Sequence, residues 1–443
     1  MIRQISAPPR SHELSLGQEA LWFLQQLAPD SNAYNVSAAL NLHFPVDVAK
    51  LSAAVERVVT RHSLLDCVFR SSGRAISRCA SDLAGPILDV HELGGADDSV
   101  VHAFAKDLAQ RPFRLDRQRP IRLALLRREV GQDILLIAAH HIVVDNVAQL
   151  LVFQEIFAEY AGRPTGAEPD TGADFDEFVR RERVLLASSR ADAARAYWRG
   201  ELANLPDTGD LPTDRPRPQV YTFAGSEIDF ELPPGLMIEV EKAAAAQSTT
   251  VFVYLFSAFQ LLLHRFGGQN DFVIGCPVTL RSSRRFRDSI GYFVNLLPFR
   301  ARVAPGSSFD AVLRRTGAKL WSGLAHREFP FAQIPRLVDL PRDPSRAGLI
   351  STMFVMIAGS PDDPLSALVL QDRRAEYAGL TVSEFYLPQQ QGQFDLTLQV
   401  LRHGSAARVH LKYNTSLFTE ETARGLSREY TDLLRSAVRG EMC

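Results

Sequence analysis

The chain has few cysteines, no excess of charge of either sign and no long uninterrupted apolar run. Its formal net charge is -2 in 443 residues, which gives no electrostatic footprint for nucleic acid or an anionic membrane. The cysteines form no C-x-x-C pair, so they predict a reducing compartment without a disulfide framework. The four are Cys67, Cys79, Cys276 and Cys443.

Targeting and membrane signals are also lacking. The N-terminus, which begins Met1-Ile2-Arg3-Gln4, has no apolar core of the kind found in signal peptides. The most apolar stretch, residues 251–266, is interrupted by polar side chains such as Ser257 and Arg265, and it predicts a buried helix. We therefore expect a cytoplasmic protein that binds neither membrane nor nucleic acid.

The length of the chain and two stretches rich in Pro predict how the chain is divided. A chain of 443 residues is too long for one ordinary core, and its 46% apolar and 23% charged residues are typical of globular proteins. Residues 163–172 are rich in Pro, Gly and Thr, and residues 207–220 are rich in Pro. We predict a first lobe at 1-172, a crossing helix and linker at 173-220, and a second lobe at 221-443.

The segment that organises the chain is His140-His141-Ile142-Val143-Val144-Asp145-Asn146. The apolar run before it, residues 134–139, predicts a buried strand, and residues 147–160 have helical spacing. Elsewhere helices and strands alternate, which predicts an α/β fold with helices on one side of a mixed sheet. The two histidines and Asp145 then lie where a core strand ends, and their side chains can face a cleft.

Three interpretations of this segment are open from the residues alone. Adjacent side chains at a strand end point in opposite directions, so His140 and His141 are expected to have different roles, one of them in catalysis. Alternatively they are an ordinary histidine pair followed by a helix N-cap. Two histidines and Asp145 can also ligate zinc, but no further Cys or His clusters nearby, so we predict no metal.

Read in order, the motifs of the chain resemble those of the condensation domains of nonribosomal peptide synthetases. The resemblance covers nearly the whole chain, and residues 140–146 resemble the family's H-H-x-x-x-D-G core. The other matching segments are residues 16–24, 61–69, 197–198 with 211–216, 290–295 (IGYFVN), 329–331, 342–346, 394–398 and 413–418.

The resemblance implies two chloramphenicol-acetyltransferase-like lobes arranged as a V, with a tunnel between them. It implies an acyltransferase that joins a carrier-bound acyl thioester to an acceptor amine, or to a hydroxyl to give an ester. The expected partners are donor and acceptor carrier proteins whose phosphopantetheine arms bring both substrates. The domain has no cofactor of its own and is expected to be a monomer.

The resemblance and the chemistry of the side chains together assign roles. A neutral imidazole with a pKa of about 6.5 can accept a proton near neutral pH. We therefore expect His141 to take or position the proton of the acceptor amine. His140 and Asp145 are expected to shape the loop. Arg61 and Arg342 are candidates for ionic support by motif position, with Asp145 as a partner. Asn295 and Tyr292 are expected to pack structurally.

Several positions depart from the family pattern. Asn146 replaces the usual Gly; Asn tolerates a left-handed backbone, so the loop is expected to keep its shape, although the carboxamide adds bulk on the acceptor side. Ser63 and Asp66 replace the usual Glu and Arg of the second motif. Residues 389–395 (QQQGQFD) resemble the corresponding motif of condensation domains that follow polyketide modules. This resemblance suggests a polyketide or fatty acyl donor.

Other functions of the same family remain open. One is an epimerisation domain or another modifying variant of the family. Epimerisation requires a single carrier-bound substrate, whereas condensation requires two. Another is a non-catalytic recruitment platform, but such platforms typically lose the second histidine, and His141 is present. With no adenylation or carrier segment in the sequence, we expect either a free-standing enzyme or an excised domain.

Overall fold

The computed structural model describes residues 11–73, 75–163, 173–206, 211–281, 283–338, 343–360, 363–369 and 373–441. The helices are α1 (Leu16–Leu27), α2 (Val48–Arg61), α3 (Asp98–Gln110), α4 (Asn146–Tyr160), α5 (Ala173–Leu186), α6 (Ser189–Glu201), α7 (Leu236–Ala246), α8 (Val251–Gly267), α9 (Arg284–Arg287), α10 (Phe309–Leu324) and α11 (Glu420–Val438). Short 3₁₀ helices span Phe331–Leu337 and Pro364–Val369.

The strands alternate with these helices along much of the chain. They are β1 (Ser11–Glu13), β2 (Asn35–Leu42), β3 (Cys67–Ser72), β4 (Ala75–Ala80), β5 (Leu88–Glu92), β6 (Ile121–Arg127), β7 (Asp133–His140), β8 (Gly225–Glu231), β9 (Asp271–Thr279), β10 (Val294–Arg302), β11 (Thr352–Ala358), β12 (Arg374–Tyr377), β13 (Leu380–Phe385), β14 (Leu396–His403) and β15 (Ala406–Asn414). This confirms the predicted α/β fold class.

The chain forms two compact units. The first takes the described residues of Met1–Val184, Arg281–Phe293 and Arg374–Gln389. Its main sheet has the strand order β12-β13-β2-β7-β6-β5, with β5 parallel to β6 and the other neighbours antiparallel. A smaller sheet has the order β1-β4-β3.

Strand β7 lies in the middle of the first unit's sheet and carries the histidine segment at its end. All eight of its residues are buried. Because successive side chains point to opposite faces of a sheet, this burial means that both faces of β7 are covered. Helix α3 packs on β7 directly.

The second unit consists of the described residues of Leu185–Leu280, Val294–Arg373 and Gln390–Cys443. Its sheet has the order β10-β9-β11-β14-β15-β8, in which β11 runs parallel to both β9 and β14. Helix α8 packs against α10 and α11, and its residues from Val253 to Leu263 are buried. This is the buried helix that the apolar residues 251–266 predict.

The observed units are not contiguous in the chain, unlike the predicted division at 172 and 220. Residues 281–293 and 374–389 fall in the predicted second lobe, yet they group with the first unit. Strand β13 explains one of these assignments, because it pairs antiparallel with β2 through Val382↔Leu42 to Phe385↔Ala39. The predicted linker at 163–172 lies outside the described residues beyond 163.

The crossing helix predicted within residues 173-220 is two helices, α5 and α6. Ser188 separates them in an extended conformation, and its hydroxyl donates a hydrogen bond to the Leu185 carbonyl at 2.6 Å. In the part of the chain that the structure describes, no single helix is long and apolar enough to span a membrane. Helices α7 and α8 reach that length only as a pair, and they are bent by 104°.

Candidate active site

The loop after β7 is short and held at both ends. The His140 amide donates to the Pro120 carbonyl at 2.8 Å, and the His141 amide donates to the Tyr34 carbonyl at 2.9 Å. Helix α4 begins at Asn146, with Asp145 as its N-cap. The predicted strand end and helix start therefore lie where the sequence pattern indicates.

Helix α1 supports the middle of this loop. Its N-cap Ser15 and Gln18 form a capping box, in which each side chain accepts a hydrogen bond from the other residue's amide. The Gln18 side-chain amide then donates to the Ile142 carbonyl at 2.8 Å, in a buried position. The first motif of the sequence thus fixes the backbone of the histidine loop.

His140 is fully buried and has both ring nitrogens engaged. The Ile142 amide donates to its Nδ1 at 3.1 Å, so the ring proton is on Nε2, which donates to Gln25 Oε1 at 3.2 Å. The Gln25 amide nitrogen donates to the Pro29 and Phe113 carbonyls, which fixes its oxygen toward His140. Burial lowers the pKa of His140 to about 3. It is a neutral residue that shapes the loop.

His141 is only partly buried and has one engaged nitrogen. Its Nδ1 lies 2.6 Å from the Val144 carbonyl, which can only accept, so Nδ1 carries the proton. Nε2 is therefore left with its lone pair. Burial lowers the pKa of His141, while the Val144 carbonyl and the Asp145 carboxylate oppose that shift. The result is a neutral imidazole whose Nε2 can accept a proton.

Asp145 is a buried carboxylate with 3% of its side chain exposed. Oδ1 accepts from the Ala148 amide at 2.7 Å and from Arg281 Nη2 at 2.9 Å. Oδ2 accepts from Arg281 Nε at 3.1 Å and from the Phe293 amide at 3.2 Å. A bidentate guanidinium and two backbone amides thus satisfy the carboxylate.

Arg281 was not predicted, and it is the residue that completes this arrangement. Its Nη1 donates to the Phe286 and Ser289 carbonyls, each at 2.7 Å, and its guanidinium lies 4.4 Å from the Phe293 ring centroid. Arg281 therefore closes residues 281–293 into a loop and attaches that loop to Asp145.

Arg61 has other partners than the predicted Asp145. It pairs with Glu155 at 2.9 Å and with Glu159, both on α4. His62 also contacts Glu155 at 2.8 Å. The Arg61–Asp145 pairing is wrong because Arg61 ends α2, and α2 packs along the side of α4 rather than at its N-terminus. The sequence held a signal for this, since Glu155 and Glu159 are the only charged residues of α4.

The remaining predicted residues separate into three cases. Arg342 lies outside the described residues. Asn295 belongs to the second unit, where it donates to the Arg327 and Phe329 carbonyls, each at 2.7 Å, and accepts from the Phe331 amide at 2.9 Å. Its role there is to fix the turn before a 3₁₀ helix. Tyr292 lies beside His141 in the first unit.

Asn146 is an exposed residue at the first position of α4. It is absent from the described residues with positive φ, so the left-handed backbone considered for it is not needed here. The loop keeps its shape because an ordinary helical start suffices. The zinc alternative does not fit either, since both nitrogens of His140 and both oxygens of Asp145 are already hydrogen-bonded.

Comparison with known proteins agrees with this fold. A model of the condensation domain family matches residues 10–440. The chain is 32% identical over 432 residues to phosphinothricin tripeptide synthetase PhsC of Streptomyces viridochromogenes, which covers 96% of the chain and 39% of PhsC. It is 27% identical over 439 residues to polyketide synthase PksN of Bacillus subtilis, which covers 98% of the chain and 8% of PksN.

The fold is also found in solved structures. The crystal structure of the holo form of AB3403, a four-domain nonribosomal peptide synthetase, matches with a TM-score of 0.90 at 21% identity, over 100% of this chain and 34% of that chain. The chain therefore belongs to the condensation domain family. It spans less than half the length of the two curated relatives named above.

Removing the guanidinium of Arg281 is expected to destabilise the first unit strongly. In Arg281→Met, the Asp145 carboxylate stays buried without its counter-ion, which costs about 3–5 kcal/mol. The double variant Arg281→Met with Asp145→Asn should recover part of that loss in urea unfolding. Arg180→Met removes an exposed pair with Glu177 and serves as the control, expected to unfold like the wild type. Equal effects of the two single Arg variants would contradict the assignment.

Acid is expected to destabilise the protein through His140. The unfolded histidine binds a proton below about pH 6.5, whereas the buried ring has a pKa of about 3. Stability should therefore fall by roughly 1.4 kcal/mol per pH unit as the pH drops from 6.5 toward 3. Urea unfolding of wild type and His140→Gln between pH 7 and 4.5 isolates this contribution, because other groups are common to both. Parallel curves would refute it; the exposed His102→Gln is the matched control.

Proposed function

We propose that the chain catalyses condensation between a carrier-bound acyl thioester and an acceptor amine, to form an amide. The observation that carries the proposal is the state of His141: Nδ1 is held by the Val144 carbonyl, and Nε2 is an available acceptor. Membership of the condensation domain family supports the choice of reaction. The partners are then donor and acceptor carrier domains with phosphopantetheine arms.

In the reaction the acceptor nitrogen attacks the thioester carbonyl carbon, and His141 Nε2 takes or positions the proton that the nitrogen loses. The C–N bond forms and the C–S bond breaks. The pantetheine thiolate leaves and regains a proton. Thioesters are already activated, so the protein contributes mainly by holding the reactants together and by this proton transfer.

The two histidines are not interchangeable in this mechanism. Both nitrogens of His140 are engaged with Gln25 and the Ile142 amide, and burial keeps it neutral far below pH 7. His141 alone has a nitrogen left for substrate. Since its pKa is lowered, the ring is unprotonated at neutral pH, as a general base must be.

Loss of the His141 imidazole should remove most of the transfer. Intact-protein mass spectrometry would follow an octanoyl group moving from one purified carrier domain to a glycyl group on a second. We expect His141→Ala to slow this by roughly 10²–10⁴-fold. His102→Ala, at an exposed position on α3, is expected to transfer at the wild-type rate. Unchanged turnover in His141→Ala would remove the proposed role.

The donor is proposed to be a polyketide or fatty acyl chain. The motif at residues 389–395 supports this, together with the similarity to PksN, whose name identifies that protein as a polyketide synthase. In the same assay the octanoyl donor is expected to react faster than a dipeptidyl donor on the same carrier. Transfer from the dipeptidyl carrier only would contradict this choice of donor.

A further inference from the structure

Tyr292 occupies a position that its motif does not explain. It is the third residue of Ile290-Gly291-Tyr292-Phe293-Val294-Asn295, between two residues of the Arg281 loop. The amide of the next residue, Phe293, donates a hydrogen bond to Asp145. The preceding residue, Gly291, packs so closely on Phe175 that a Cβ at position 291 would lie 2.5 Å from the Phe175 ring. The backbone on both sides of Tyr292 is thus fixed.

The ring of Tyr292 packs directly against the His141 imidazole. The two ring centroids are 5.0 Å apart and the planes meet at 76°, an edge-to-face geometry that is favourable for aromatic pairs. The ring of Tyr292 also meets α1. A Cβ on Gly17 would lie 2.9 Å from Tyr292 Cε1, so only glycine leaves room for the ring at this distance.

The hydroxyl of Tyr292 is not what holds the ring in place. Within the described ranges, no residue forms a hydrogen bond with it. Burial and the nearby Asp145 carboxylate raise the pKa of Tyr292, so the phenol stays neutral. Packing between His141 and α1 is therefore the interaction that fixes this side chain.

We infer that Tyr292 is a positioning residue: its ring holds the His141 imidazole in the orientation that presents Nε2 and shields that imidazole from water. This inference rests on the proposed function of His141 as the base. The Val144 carbonyl fixes Nδ1 from one side, and the Tyr292 ring limits rotation from another. Two contacts at different places on the ring determine its orientation better than one hydrogen bond.

The same contact has a consequence for proton affinity. Burial is the largest cause of the lowered His141 pKa, and the Tyr292 ring is one of the surfaces that bury it. Removing the ring should let water reach the imidazole and raise its pKa toward the usual value of about 6.5. Among the described residues, the charged or titratable groups that face His141 are His140 beside it, Tyr292, Tyr34, whose carbonyl accepts from the His141 amide, and Asp145, which is paired with Arg281.

The test uses the full chain with Tyr292→Phe and Tyr292→Ala, and two readouts. The first is an NMR titration of ¹³C-labelled histidine, with the His141 signal assigned from His141→Ala. We expect the pKa of His141 to rise in Tyr292→Ala and to stay at the wild-type value in Tyr292→Phe, because the Phe ring retains the contact. This readout needs no substrate, so it is independent of the proposed reaction.

The second readout is the pH profile of acyl transfer. A base with a higher pKa loses activity at higher pH, so the acidic limb of the Tyr292→Ala profile should move toward neutral pH, with a lower plateau. An unchanged His141 pKa in Tyr292→Ala, or a Tyr292→Phe variant as altered as Tyr292→Ala, would overturn the inference. If Tyr292→Ala does not fold, Tyr292→Leu removes the aromatic ring with a smaller loss of side-chain volume, and the His141 pKa must rise there too. Unchanged transfer in His141→Ala would instead overturn the proposed function alone.

Discussion

The buried ion pair between Asp145 and Arg281 is the interaction on which the site depends. It joins the N-terminus of α4 to a loop 136 residues later in the chain, with both side chains nearly removed from water. A pair of this kind is tolerated because the carboxylate accepts four hydrogen bonds and the guanidinium also donates to the carbonyls of Phe286, Arg287, Ser289 and Gly291. Its contribution is to place Phe293, and with it Tyr292, against the histidine loop.

Two adjacent histidines acquire opposite properties from that setting. The alternation of side chains at a strand end directs His140 into the core, where Gln25 and a backbone amide satisfy it. His141 points the other way and keeps one free nitrogen. Environment rather than residue type thus separates a structural imidazole from one that can exchange a proton.

Local patterns predicted a large part of this from the sequence. The strand before His140, the helix after Asp145 and the N-cap between them follow from apolar periodicity and cap chemistry, which act over a few residues. The partner of Asp145 could not be predicted, because 49 lysines and arginines compete for that role and no local signal distinguishes Arg281. The partner of Arg61 differs from the predicted one for a related reason: motif position suggests Asp145, whereas Glu155 and Glu159 on the adjoining helix are the partners.

Pairing of β13 with β2 bears on how the chain can be shortened. A fragment that stops near residue 184 would keep seven strands of the first unit but lose β12 and β13, which come from the far end of the sequence. The amides and carbonyls of β2 would then form an open sheet edge able to recruit a foreign strand. Truncation near residue 184 is therefore expected to yield an insoluble fragment, whereas division of the gene into two co-expressed pieces would need both pieces to fold together.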